Sequence, residues 1–334
     1  MLELARRLTE AFGVSGFEEE IRTAIREEIA GTVDDVRVDV LGNLVAFRRG
    51  AGEGKRVMLA AHMDQIGLMV THIDEKGYMR FAPIGGIYPL TCWGKQVRFT
   101  DGTVGTVGLD GRARRNEAPE LKDMYIDVGA TDRTEVKQKV GDVATFIYPF
   151  MAQGNAWFAS NHDDRIGCIA LVQLLRQLKG VNLPHDIYAV FTTQEETGLR
   201  GATTSAYAIE PEIGIALDVT LTGDLPYATP AMEVVMGKGV AIKVRDSGMI
   251  GHPGLNRLLI AAAEAAGIPY QLEVLHAGTT DARSIQISRA GVPATCLSIP
   301  SRHVHTPSQV VDRRDVEAAV ALLEVFLKGP IVLP

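Results

Sequence analysis

The sequence predicts an α/β protein: a mainly parallel mixed sheet flanked by helices, with a small β-barrel inserted. Three observations predict it. Apolar β-rich runs alternate with helical segments late in the chain, the pattern of strands covered on both faces by crossover helices. From about residue 68 to about residue 147 long amphipathic helices are missing, and short β-rich runs such as Gln96–Thr100 and Thr103–Gly108 follow one another between turn residues. After Asn161 the helix–strand alternation resumes. The chain therefore divides into a discontinuous α/β domain, 1–67 and 160–334, and an insertion, 68–159.

The elements follow in order. The first thirty residues read as two helices broken at Gly13–Gly16, with Ser15 or Gly16 opening the second, Glu-rich one. Asp39–Arg48 and Arg56–Ala61 read as strands joined by a Gly-rich turn at Gly50–Gly54. Beyond the insertion, Ile166–Leu178 is a predicted helix, and Asp186–Thr192, Ile213–Leu217 and Gly239–Val244 are predicted strands. Leu255–Ala266 is the next helix, Gln271–Leu275 and Ala294–Ile299 are strands, and Arg314–Leu327 is the last helix, amphipathic despite its apolar look because Glu317 and Glu324 interrupt it.

Bulk properties narrow the classes of function. Hydrophobic residues make up 46% and charged residues 22%, with a formal net charge of -7. An acidic excess argues against a nucleic-acid groove, which needs clustered Lys and Arg, and against a polybasic membrane anchor. The N-terminus turns charged too early for a signal peptide, and no uncharged run approaches the ~18 residues of a membrane span. Cys92, Cys168 and Cys296 lie far apart with no C-x-x-C pair, as expected of reduced thiols in the cytoplasm.

In open α/β sheets, functional groups collect beyond the carboxyl ends of the strands. Five such exits carry potential metal ligands: His62 and Asp64; Asp163 and Asp164; Glu195 and Glu196; Asp218; and His303 and His305. Singly, each has a plain reading as a helix cap, a core histidine or a solvated face. Jointly they suit Zn²⁺, or Co²⁺ and Mn²⁺. Two ions ~3.5–4 Å apart need one carboxylate between them. Of the adjacent pair Glu195 and Glu196, one could bind metal while the other serves as general base.

At these residues the sequence resembles the M42 family of metallo-aminopeptidases, which includes the tetrahedral aminopeptidases and proteins labelled glutamyl aminopeptidase or endoglucanase M. The matching segments are Gly13–Glu19 (GVSGFEE), Ala61–Gly67 (AHMDQIG), Asp163–Gly167 (DDRIG), Gln194–Gly201 (QEETGLRG), Asp218–Val219 and Arg302–Pro307 (RHVHTP). They span nearly the whole chain. The resemblance implies a zinc-peptidase-like catalytic domain with an inserted barrel used for dimerisation or assembly. It implies two divalent ions per subunit, Zn²⁺ or Co²⁺, with Asp163 rather than Asp164 bridging. His62 and Asp218 would complete one site, and Glu196 and His305 the other. Glu195 would be the general base and Asp64 would orient the His62 imidazole. Short peptides would be the substrates, and the assembly a homo-oligomer, often a dodecamer built from dimers. Two departures from the family pattern stand out. Gln65 replaces a common Glu, away from the ligands, and Gly278–Ala282 reads GTTDA where the family has GGTDA. Thr280, Asp281 and Arg302 are candidate substrate contacts, Asp281 equally a helix cap, whereas His162, His276 and His303 read as structural or as supports behind the ligands.

Two rival readings remain. A β-glucan hydrolase needs two carboxyl groups across a sugar, but not histidines at strand exits. A metal-binding protein without turnover has no need of Glu195, which is present.

Overall fold

The computed structural model describes residues 1–52, 54–111, 118–228 and 231–333. Two helices open the chain, α1 (Leu2–Glu10) and α2 (Glu19–Glu28). The second starts later than the sequence suggests. Gly16 has φ +86°, and the Ser15 hydroxyl donates to Asp64 instead of capping a helix. The strand expected over 39–48 is in fact a hairpin of β1 (Asp35–Val38) and β2 (Leu44–Arg48). Its turn is built by Asp39, whose Oδ1 accepts the N–H groups of Leu41, Gly42 and Asn43, each at 3.0 Å. The sequence reading mistook this turn for strand. β3 (Arg56–His62) follows, and of the predicted turn before it Glu53 lies outside the described residues.

The next six strands form a closed barrel: β4 (Gly67–Ile73), β5 (Met79–Ile84), β6 (Gln96–Phe99), β7 (Val104–Leu109), β8 (Met124–Asp127) and β9 (Val143–Phe146), in the order β4-β5-β8-β7-β6-β9. Leu68, Val97, Phe99, Val107, Met124 and Ile126 fill its core. β10 (Met151–Gln153) and β11 (Ala156–Ala159) leave the barrel. The barrel strands thus end at Phe146, ahead of the boundary drawn at residue 159, because β11 pairs with the large sheet through β17 (Gln309–Asp312).

The rest of the chain is α3 (His162–Gln177), β12 (Asp186–Thr192), α4 (Arg200–Ile209), β13 (Ile213–Thr220), β14 (Val240–Arg245), α5 (Pro253–Ala266), β15 (Tyr270–Val274), α6 (Asp281–Gln286), β16 (Ala294–Arg302), β17 and α7 (Arg313–Lys328). The sheet has 11 strands, ordered β1-β2-β12-β3-β13-β16-β17-β11-β10, with β14 and β15 joined to it through β16. Its centre, β12-β3-β13-β16, is parallel, and antiparallel strands extend it on both sides.

Burial on both faces explains the apolar runs. Along β3, Val57, Leu59 and Ala61 join the core under α1, α3 and α7, whereas Met58 and Ala60 face α4 and α6. Burial of each of the larger side chains, Val57, Met58 and Leu59, contributes roughly 1.5–3 kcal/mol. The carboxyl ends of the parallel strands then open together at one edge, which is where the polar residues gather. Among the described residues no helix is long and apolar enough to cross a membrane.

Candidate metal centre

Each candidate ligand sits where an apolar strand or helix ends. His62 closes β3, Asp218 lies near the end of β13, Glu195 and Glu196 follow β12, and His305 follows β16. Asp163 and Asp164 begin α3 in non-helical conformation, joined by a cis peptide bond. His305 has φ +59° and His303 φ +63°, so the loop turns sharply there and delivers the His305 ring inward.

The structure brings all five expected ligands together. Asp163 Oδ1 lies 2.9 Å from His62 Nε2, and Asp163 Oδ2 lies 3.1 Å from His305 Nε2. Asp218 Oδ1 is 4.0 Å from His62 Nε2, and Glu196 Oε2 is 3.3 Å from His305 Nε2. Two groups of three potential donors result, their atoms within 4.8 Å of one another: His62, Asp164 and Asp218, and Asp163, Glu196 and His305. Asp164 enters the first group although the expected ligand there was Asp163. The oxygens of Asp164 are already engaged, by the N–H of His62 at 3.2 Å and the N–H of Gly167 at 3.0 Å. A Cβ at residue 167 would stand 2.4 Å from the Asp164 carboxylate, which is why glycine is needed there.

The tautomer of His62 follows from its neighbours. Its Nδ1 lies 3.1 Å from the main-chain oxygen of Asp64, which can only accept, so Nδ1 carries a hydrogen, and Nε2, 2.9 Å from the Asp163 carboxylate, points into the site, where a bound cation would take its lone pair in place of a hydrogen. The expected partner was the Asp64 side chain, but its Oδ1 is farther, at 3.5 Å. That buried carboxylate is instead held by the Ser15 hydroxyl at 2.6 Å and the N–H groups of Glu195 and Glu196 at 3.0 and 3.2 Å.

Charges concentrate here to a degree that protein groups alone do not balance. Burial and the nearby Asp163 carboxylate push Glu196 up to about 8, and burial and other carboxylates push Asp218 up to about 8. Glu195 is raised well above the ordinary range, chiefly by burial. Burial favours neutral His305, yet Asp163 and Glu196 outweigh it and raise the imidazole to about 9. Oε1 of Glu196 is buried with no partner among the described residues. Imidazoles and carboxylates converging on two foci, with an orphaned oxygen at one, fit divalent cations with nitrogen and oxygen ligands, which would displace the imidazole hydrogens.

These residues open on a cavity of 430 Å³. Thr280 lines it, capping α6 through a 3.4 Å bond from the Ala282 N–H. Asp281 is buried behind the wall, accepting the Thr192 hydroxyl. Arg302 is not brought to the cavity. Its guanidinium pairs with Asp224, its Nε 3.2 Å from Oδ1. His162 bonds to the Trp157 carbonyl at 3.1 Å, whereas His276 and His303 are exposed. Gln65, hydrogen-bonded to Asn161, Thr145 and Arg165, stays away from the ligands. The sequence reading missed Gly86, Tyr88 and Arg283, which also line the cavity. Gly85 and Gly86, adjacent after a barrel strand, were the available signal for the first of these.

The geometry has close counterparts. The model of the M42 glutamyl aminopeptidase family matches residues 42–322. A lysyl aminopeptidase of Pyrococcus furiosus is 37% identical, the match covering 98% of this chain and 96% of that protein. Among solved structures, an aminopeptidase of the archaeon Desulfurococcus kamchatkensis superposes with TM-score 0.93 at 38% identity, covering 98% of this chain and 94% of the other. The TET1 peptidase of Pyrococcus horikoshii, which can assemble into a tetrahedron or a large octahedral shell, superposes with TM-score 0.89 at 31% identity, covering 97% and 98%.

Proposed function

The chain belongs to the M42 glutamyl aminopeptidase family and is an aminopeptidase, and from that premise we propose that it removes N-terminal residues from short peptides with two divalent ions and a glutamate base. His62 and Asp218 would hold one ion, Glu196 and His305 the other, and Asp163 would bridge them. The observation that carries this reading is the Asp163 carboxylate, which gives one oxygen to each of two histidines. Two ions bound there would supply Lewis acidity toward the scissile carbonyl and toward water. Imidazole and carboxylate donors suit Zn²⁺ or Co²⁺.

The chain's own residues supply the rest. Glu195 lies half-buried in the cavity wall beside the ligands, so its carboxylate can take a proton from water and pass it to the leaving amine. Asp64 fixes the main chain of Glu195 and Glu196, which sets the base relative to the ligand beside it. Thr280 is the remaining substrate contact of the three expected, since Asp281 faces Thr192 and Arg302 faces Asp224. Residues 1–67 and 160–334 would form the catalytic domain, whose sheet β10 and β11 join from the end of the insertion 68–159, and the barrel of that insertion would serve dimerisation and assembly. The tetrahedral and octahedral assemblies of the TET1 relative support a homo-oligomer, such as a dodecamer built from dimers, and a cytoplasmic location belongs to the same proposal.

The test is removal and return of metal. Dialysis against a chelator should abolish hydrolysis of aminoacyl anilides, Zn²⁺ or Co²⁺ should restore it, and no reducing sugar should appear from β-glucan. Undiminished hydrolysis by protein stripped of metal would sink the proposal.

A further inference from the structure

One wall of the cavity rests on a buried ion pair. Lys243 on β14 lies opposite Glu273 on β15 in parallel register, and its ammonium is bonded to Glu273 Oε1. Asp246 Oδ2 stands 3.9 Å from the same nitrogen. Lys243 and Glu273 are 0% exposed and Asp246 2%. Buried ion pairs seldom stabilise a fold more than apolar replacements would, so a role beyond stability is worth seeking.

Each carboxyl group has a second partner. Glu273 Oε1 accepts the Thr220 hydroxyl at 2.8 Å, and Asp246 Oδ1 accepts the Thr279 hydroxyl at 3.3 Å. Both threonines line the cavity that contains His62, Asp163 and Glu195. Thr220 lies two residues beyond Asp218 on β13, so the two side chains leave the same face of the strand. A carboxylate oxygen only accepts, so each hydroxyl hydrogen is directed away from the cavity. What each Oγ1 can present inward is a lone pair.

We propose that Thr220 and Thr279 are acceptors for the N–H donors of a bound peptide, that Lys243, by holding Glu273, is the positioning residue for Thr220, and that Asp246, its Oδ1 fixed by the N–H groups of Gly248 and Met249 at 2.8 Å, positions Thr279. The inference rests on the aminopeptidase reading. A peptide offers two kinds of donor near the scissile bond, its N-terminal ammonium and its amide N–H. One ammonium set against two carboxyl groups leaves this wall receptive to either, and unreceptive to a substrate carboxylate.

The experiment uses the metal-loaded full chain with Thr220→Val, Thr279→Val and the matching serine variants. Rates are measured on an aminoacyl anilide and on the corresponding aminoacyl ester. Each valine variant should raise KM about three- to tenfold, the range for one hydrogen bond. The kcat value and metal content should stay within twofold of wild type, and serine should restore KM. A rise confined to the anilide identifies the amide N–H as the donor, and a rise on both substrates identifies the ammonium. Either supports the proposal, whereas KM within twofold of wild type for both valine variants overturns it.

Lys243→Met alone would leave two carboxyl groups facing each other and can unfold the chain. The double variant K243M/E273L removes one charge of each sign and should reproduce the KM rise of Thr220→Val. A folded double variant with wild-type KM would remove Lys243 from the role. Calorimetric affinity for a non-cleavable reduced-amide dipeptide separates the two readings. If wild type binds it but cleaves no anilide, the functional reading fails, and the threonine variants still test this one through Kd. If wild type neither binds nor cleaves, both fall.

Discussion

The hydroxyl of Ser15 donates to Oδ2 of Asp64 at 2.6 Å, fastening the turn between the first two helices to the floor of the metal centre. Asp64 is fully buried, so Ser15→Ala leaves one of its acceptor positions unsatisfied, at a cost of about 1–3 kcal/mol. Asp64→Ala frees the N–H groups of Glu195 and Glu196 as well and should lower kcat more than Ser15→Ala does. Urea titration and anilide kinetics on both variants check this. Wild-type stability of Ser15→Ala would show that the contact does not matter.

Glu195 and Glu196 are adjacent, but only Glu196 touches a histidine ligand, at 3.3 Å from His305. Glu195→Gln keeps the size and polarity of the side chain and removes its ability to take up a proton. Bound metal should stay near the wild-type level while kcat falls by roughly 10²–10⁴. Elemental analysis beside steady-state rates tests both halves, and wild-type kcat would take the base role away from Glu195.

Asp163 is the one group within 3.1 Å of both histidines. Asp163→Asn replaces one carboxylate oxygen by a donor that no cation accepts. The expected result is loss of at least one ion per chain by elemental analysis of dialysed protein. Unaltered stoichiometry would mean that the bridge lies elsewhere, with Asp164 the next candidate.

Acid should weaken the fold through His162. Its ring is fully buried, Nδ1 has no partner among the described residues, and burial lowers its pKa to about 4. The unfolded chain takes up this proton below about 6.5, while the folded chain resists until about 4. The contribution is therefore present above 6.5 and is lost as pH falls from 6.5 toward 4, on the order of 3 kcal/mol. His162→Gln, which keeps a donor for the Trp157 carbonyl, should show a flatter fall of Tm over that interval. Both proteins are measured in chelator, so that release of metal does not contribute, and parallel curves would refute the assignment.

The sequence announces the metal centre because its ligands are local: each stands at the end of an apolar run whose period or length marks a strand. What escapes reading is long-range or weakly patterned. Ser15 meets Asp64 through a loop whose Gly and Ser looked like a helix start. Arg200–Ile209 is a helix although its Gly, Thr and Ser content lowers helix propensity. Asp39 turns the chain by accepting three N–H groups, where the apolar residues that follow suggested a continuous strand. Nothing in the predicted strand Gly239–Val244 marks Lys243 as buried until the β14–β15 register sets it against Glu273. Arg302, close to His305 in sequence, is carried away from it by the sharp turn at His303.

The barrel reaches the metal centre through Gly86, and a methyl group there should disturb one ion more than the other. A Cβ at residue 86 would lie 2.7 Å from Nδ1 of His305, closer than real Cβ contacts come. Gly86 does not have the positive φ that favours glycine, so Gly86→Ala adds bulk without backbone strain. If His305 yields, its ring must shift relative to Asp163 and Glu196, to which Nε2 stands at 3.1 and 3.3 Å. His62 and Asp218 are not among the side chains this Cβ would meet. Competition with a graded chelator should therefore show one ion per chain bound more weakly in Gly86→Ala and the other held as in wild type. Catalysis at low metal should fall and recover when Zn²⁺ or Co²⁺ is added in excess. If both ions weaken equally, the barrel is acting on the whole centre and not on His305 alone; if neither does, the loop carrying Gly86 gives way in place of the ligand.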